Sequence, residues 1–320
     1  LPTVTPLSNG FKISDAHPGT VWPIIFSGLT EREIMVISSQ GAGGDGIRCW
    51  SAQDGNLIRV LQDSDVGAFS MVSAHIEGVG PILAAATEDG VYRWNLDTGE
   101  RLPGRPDLLE STAWDVKAIR DRNRGTVLVA ACQDHMVRRW EAVSGELIGE
   151  PLKGHQTSVK AVQVVNLPSG RSVIFSGDDN GDILCWDYES GSPIIFNRPI
   201  ILGAAITGMS SIALKGGCSI ISAAGVSGLL RRWNASTGEE VGSAIQLPTA
   251  APSLGFFEHG GNARIITTTD SETIIQWDLE SGTLEDDSLT GISVATYNSG
   301  EFSAIATGTF EGEIFIRYFR

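Results

Sequence analysis

His155, Ser176 and Asp179 are the residue types of a nucleophilic serine, its general base and an orienting acid. Many hydrolases hold such a serine in a G-x-S-x-G turn, and the residues around Ser176 do not form one. The segment DDNGDILCWDYE, from Asp178 to Glu189, sets acids or amides at alternate positions and Glu at the twelfth, as in a calcium loop. Such a loop needs Gly at its sixth position for a sharp turn, and the sixth residue here is Ile183. His17, His75, His135, His155 and His259 show no pairing at i, i+2 or i, i+4, and Cys49, Cys132, Cys185 and Cys218 form no C-x-x-C. No metal and no cofactor is therefore expected. Arg138-Arg139 and Arg231-Arg232 stand just before tryptophans, with Arg48 and Arg93 in comparable places. Successive strand residues face opposite sides, so one arginine of each pair points inward. Its partner is either a neighbouring carboxylate or an anionic ligand.

The balance of charge narrows the partners. The chain has 320 residues, with 38 acids against 23 bases and a formal net charge of -15. Phosphate binding needs clustered Lys and Arg, so nucleic acid and anionic membrane are excluded as general partners. No apolar run is long enough to span a membrane, and no signal-peptide pattern is present. Cys49 and Cys185 each precede a repeated Trp, so they fall at one position in different units, too far apart to bond. The four cysteines read as core residues in a reducing compartment, which makes a cytoplasmic location the expectation. The chain starts LPTVTP without Met, as a fragment of a longer polypeptide would.

These residues sit on a repeat. WSAQDGN begins at Trp50, WNLDTGE at Trp94, WEAVSGE at Trp140, WDYESGS at Trp186, WNASTGE at Trp233 and WDLESGT at Trp277. A spacing of about 40–45 residues is that of a propeller blade of four strands. Before each Trp lies a short β-rich run such as GDILCW, and before that a second apolar run such as SVIFSG. Gly, Asn and Asp between the two suit a hairpin turn. The Gly five residues after each Trp turns the chain into the outermost strand, in the left-handed conformation that a side chain penalises. The buried Trp packs between blades.

This pattern resembles the WD40 family over almost the whole chain. The W-D dipeptide stands at Trp186-Asp187 and Trp277-Asp278, and the family's Gly-His pair at Gly154-His155, with His17 in the same role. GELIGEPLKGH and GRSVIFSGDDNGDI are similar to bacterial WD40 arrays, which often form the docking part of longer signalling proteins. The resemblance implies one all-β domain over 1-320, a seven-bladed β-propeller of four-stranded antiparallel blades. The N-terminal strand in PLSNGFKIS would close the last blade, where Arg317 or Tyr318 takes the Trp position. It also implies a structural hydrogen-bond network of His155, Ser176, Asp179 and Trp186 in place of a catalytic triad.

In such a propeller the links into the innermost strands and the turns between second and third strands share one rim. Trp22, Asp65, Phe69, Asp89, Trp114, Asp115, Asp134 and His135 fall there and are the candidate partner-binding residues. Trp22 and Trp114 are either desolvated anchors or simple packing at the blade tops. The acids would draw a protein or peptide segment of basic character to a monomeric, non-catalytic docking scaffold. The alternative is a hydrolase or isomerase site in the central channel.

Overall fold

The structure, a computed structural model, describes residues 2–28, 34–41, 44–64, 67–103, 111–214, 217–259, 262–279, 281–298 and 303–319. These form seven antiparallel sheets, one per blade of a seven-bladed propeller. The Trp186 blade shows the plan. Its strands are Val159–Asn166, Ser172–Asp178 and Asp182–Asp187, followed by a short outer strand Pro193–Ile194 that resumes at Ile200–Ile201. Second strands are covered by neighbouring blades on both faces, so they read as continuous apolar runs. Ser219–Gly225 is buried at every position. Outer strands have less to pack on, and Leu57, Ile58 and Val60 of the Trp50 blade are exposed.

Each Trp stands one residue before the end of the third strand, close to where the sequence predicts. Trp50 and Trp94 are fully buried, and Trp186 packs with Val137 and Leu152 of the preceding blade. The six following glycines all have positive φ, from 68° at Gly282 to 78° at Gly99.

Beyond the split outer strand of the Trp186 blade, two blades depart from a uniform four strands. The Trp94 blade has three, Ser70–Ile76, Gly80–Thr87 and Gly90–Asn95, extended by a bridge between Trp94 and Arg101. The closing blade has five: Ser293–Asn298, Ser303–Gly308, Ile314–Phe319, Gly10–Ser14 and Thr3–Leu7. PLSNGFKIS is thus a hairpin rather than one outer strand. Gly10–Ser14 closes the ring with Phe11 and Ile13 buried, and Thr3–Leu7 lies outside it. The pairing also settles the register. Arg317 lies opposite Ile305 as Trp186 lies opposite Ile174, so Arg317 holds the Trp position. Tyr318 comes next, and its hydroxyl donates to the Ala52 carbonyl of the first blade.

Candidate functional site

The would-be triad is a buried brace. Ser176 is fully buried, with its oxygen 2.7 Å from His155 Nε2 and 2.9 Å from the donating Trp186 Nε1. The acid is Asp178, not the expected Asp179, with Oδ2 2.9 Å from His155 Nδ1. Residues two apart on a strand share a face, which puts Asp178 beside Ser176 and turns Asp179 away. Burial is the largest effect on His155 and lowers its pKa, against the pull of Asp178. The neutral ring then donates from Nδ1 to Asp178 and accepts the Ser176 proton at Nε2. A hydroxyl with no solvent access and every partner in place cannot attack a substrate. The Trp50 blade repeats the arrangement: His17 meets Asp45 at 2.7 Å and Ser38 at 2.8 Å, and Trp50 Nε1 donates to Ser38 at 2.8 Å. Among the described residues, no group of three or more His, Cys, Asp or Glu gathers in a way that could hold a metal ion.

The arginines divide as the strand alternation requires. The outer ones meet carboxylates: Arg138 forks onto Asp134 at 2.9 and 2.5 Å, Arg48 pairs with Asp45, and Arg231 lies 3.4 Å from Glu240. The inner ones, Arg93, Arg139 and Arg232, are buried. Each reaches into the next blade and donates to carbonyls just past its Trp. Arg93 bonds Ala142 at 2.7 Å and Val143 at 2.8 Å, Arg139 bonds Tyr188, and Arg232 bonds Leu279. Burial lowers the pKa of Arg139 and Arg232. These are struts between blades, not anion anchors.

On the rim the structure joins some candidates and withdraws others. Phe69 and Trp114 have ring centroids 4.9 Å apart, and both are half-buried. The Lys160 ammonium lies 3.8 Å from the Trp114 ring centroid and 3.7 Å from Asp179 Oδ2. Trp114 Nε1 donates to Ser158 Oγ at 3.1 Å. Ser158 and Lys160 are additions to the expected set. Lys160 follows Val159 as Trp114 follows Ala113, so the two hold one repeat position in adjacent blades, a signal the sequence does contain.

Asp115 is withdrawn as a surface acid. It is 8% exposed and accepts from Ser70 at 2.6 Å, Lys117 at 2.5 Å and the Val116 and Val162 amides at 2.9 and 3.0 Å. Asp134 is engaged by Arg138. Asp89 and His135 are exposed. Trp22 is half-buried at the start of the first innermost strand, its amide donating to Ser39 at 2.9 Å. Asp65 lies outside the described residues.

No protein-family model matches the chain. It is 29% identical over 42% of its length to Denticleless protein homolog A of Xenopus laevis, a match covering 19% of that protein. To the Danio rerio Denticleless protein homolog it is 26% identical over 49% of its length, covering 23% of that protein. An uncharacterized WD repeat-containing protein of Schizosaccharomyces pombe is 32% identical over 34% of the chain, covering 25% of its own length. The matches thus span about a quarter or less of these curated relatives. A crystal structure of the computationally designed Ika8 protein superposes over 96% of this chain and 98% of its own, with a TM-score of 0.63 at 19% identity, a likeness of fold. One of these relatives is named as a WD repeat-containing protein, and the seven sheets of this chain make a propeller.

Proposed function

From the premise of a seven-bladed WD-repeat propeller, we propose a non-catalytic scaffold that docks a protein or peptide segment of basic character on the Trp114 rim. Fold relationship supports the general role, by association. One observation carries the choice of face. Phe69 and Trp114 form a braced, half-buried aromatic pair. Ordered aromatics that keep some exposure make desolvated anchors at little entropic cost. On the same rim Asp63, Glu88 and Asp89 are exposed, while the rim cations Arg48, Arg138 and Lys160 each have a carboxylate neighbour. The local field is therefore negative and raises encounter rates with cationic segments. The four free thiols support a reducing, cytoplasmic setting, and burial pushes the Cys49 and Cys185 thiols up to about 12. Cell fractionation tests the location, and sedimentation at micromolar concentration tests the monomer.

The test of the face is an array of peptides graded in charge. Basic peptides bind the parent, and binding fades with salt. Trp114→Ala and Asp89→Lys each weaken it without lowering the melting temperature much. Asp115→Lys is unsuitable, because that carboxylate is an internal brace. Parent-like binding by both variants, with loss on changing Glu100 or Glu146 at the opposite rim, overturns the choice.

A further inference from the structure

Six blades fill one position with an indole, and the seventh does not. Opposite each Trp, on the outer strand, stands a residue with a side chain: Leu57, Arg101, Leu147, Pro193, Glu240 or Leu284. In the closing blade Arg317 replaces the Trp and Gly10 its outer neighbour. Directly opposed strand residues share a face. Both changes therefore remove bulk from one spot. A Cβ on Gly10 would fall 1.9 Å from the Ile316 carbonyl oxygen, so no side chain fits at that position.

A cavity of about 30 Å³ results between the Trp277 blade and the closing blade. Leu289 and Thr290 line it from one side, and Ile305, Thr307, Phe315 and Arg317 from the other. The last four sit at alternate positions of paired strands and so share the face turned to the Trp277 blade. Ile305 and Thr307 are buried, and Arg317 is half-buried. The Thr307 hydroxyl donates to the Thr290 carbonyl at 2.8 Å. Among the described residues, the Arg317 guanidinium donates no hydrogen bond and forms no ion pair. The nearby Lys12 ammonium, 5.3 Å from the Phe315 ring centroid, is neutralised by Glu313 at 2.6 Å. In a chain where acids outnumber bases, a half-buried cation without a counter-charge among the described residues stands apart from Arg48 and Arg138, which have carboxylates.

We propose that this gap between the Trp277 blade and the closing blade, with Arg317 and Gly10 in place of a tryptophan and its neighbour, is a carboxylate-binding site. The guanidinium fork matches a carboxylate with two parallel N–H···O bonds. Size points the same way. A water needs about 10–15 Å³ of such space. The cavity thus has room for two oxygens side by side. The apolar wall of Ile305 and Leu289 lowers the local dielectric and strengthens the pair. The carboxylate comes either from a small free acid or from an acidic side chain or C-terminus of a polypeptide.

Saturation-transfer NMR on the intact chain tests this, with acetate as probe, acetamide as its neutral isostere and chloride holding ionic strength constant. Acetate receives saturation and acetamide does not. Arg317→Gln, checked for folding by circular dichroism, reduces the acetate signal tenfold or more. Arg317→Trp fills the gap, abolishes the signal and raises the melting temperature. An acetylated Gly-Asp-Gly amide and acetylated Gly-Gly with a free C-terminus then compete with acetate. Competition at lower concentration than free propionate assigns the site to polypeptide carboxylates, and the reverse order to small acids. No saturation transfer to acetate in the parent, or an undiminished signal in folded Arg317→Gln, overturns the proposal.

Discussion

In the Trp186 blade, Ser176 holds His155 and Trp186 together, and Asp178 completes the chain of bonds. At the matching position of the closing blade, Thr307 bonds the Thr290 carbonyl of its neighbour, and Arg317 stands where the indole would be. Yet the strand frames agree. Thr309 accepts the Glu313 amide at 3.1 Å, as Asp178 accepts that of Asp182 at 3.0 Å. Backbone pairing and turn caps are thus enough to form a blade. In the closing blade, which lacks both the His–Ser–Asp–Trp network and the indole, a cavity lies beside Arg317.

The comparison can be broken or sharpened by experiment. The largest effect is expected from deleting residues 1–14, which removes buried Phe11 and Ile13 and bares the strand Ile314–Phe319. Cooperative unfolding, followed by circular dichroism, is lost and light scattering rises through the open edge. An unchanged melting curve would mean that closure does not depend on this strand. Next, Ser176→Ala strands two buried partners, Trp186 Nε1–H and His155 Nε2, and costs about 2 kcal/mol in urea unfolding. Thr307→Ala breaks one bond to a carbonyl and costs about 1 kcal/mol. Equal losses would erase the distinction between the blades.

Acidity gives a smaller, signed effect. Burial is the main cause that holds His17 and His155 below their ordinary 6.5. The unfolded chain therefore takes up protons that the folded chain refuses. Their contribution to stability is complete above about pH 6.5 and is lost as pH falls through the lowered folded values. The urea midpoint declines from pH 7.5 to 5, and less steeply in His155→Gln than in the parent. Identical slopes would remove His155 from the account. The smallest change is expected from Lys12→Gln in the closing blade. Its pair with Glu313 is partly exposed, so the loss stays below about 0.5 kcal/mol and disappears in high salt.

The strand frame was legible because its signals are local: the Trp phase, the apolar alternation and the turn glycines. His17 and His155 were legible as equivalents for the same reason. What the sequence hid is set between blades. That one arginine of each pair points inward follows from alternation, but its acceptors at Ala142, Tyr188 and Leu279 depend on how neighbouring blades stagger. Asp115 reads as a free rim acid until the Val162 amide of the next blade is seen on it. Asp45 serves His17 from seven residues beyond Ser38, across a longer turn than the one that places Asp178, so spacing alone did not reveal it. Asp178 itself was within reach, since the two-residue period of a strand favours it over Asp179.

The joining of Gly10–Ser14 to Ile314–Phe319 also fixes an order of events. The other blades are each made from one continuous stretch, and their pairings can form as the chain leaves the ribosome. The closing sheet cannot form until its far strand has been synthesised. Looping the chain that far adds little to the equilibrium cost, because closure entropy grows only logarithmically, but it makes a slow, late encounter. Throughout that interval the hairpin of Thr3–Leu7 and Gly10–Ser14 waits with an unpaired edge. Chaperone protection during biogenesis, and the last phase of refolding in vitro, are accordingly expected to centre on this seam.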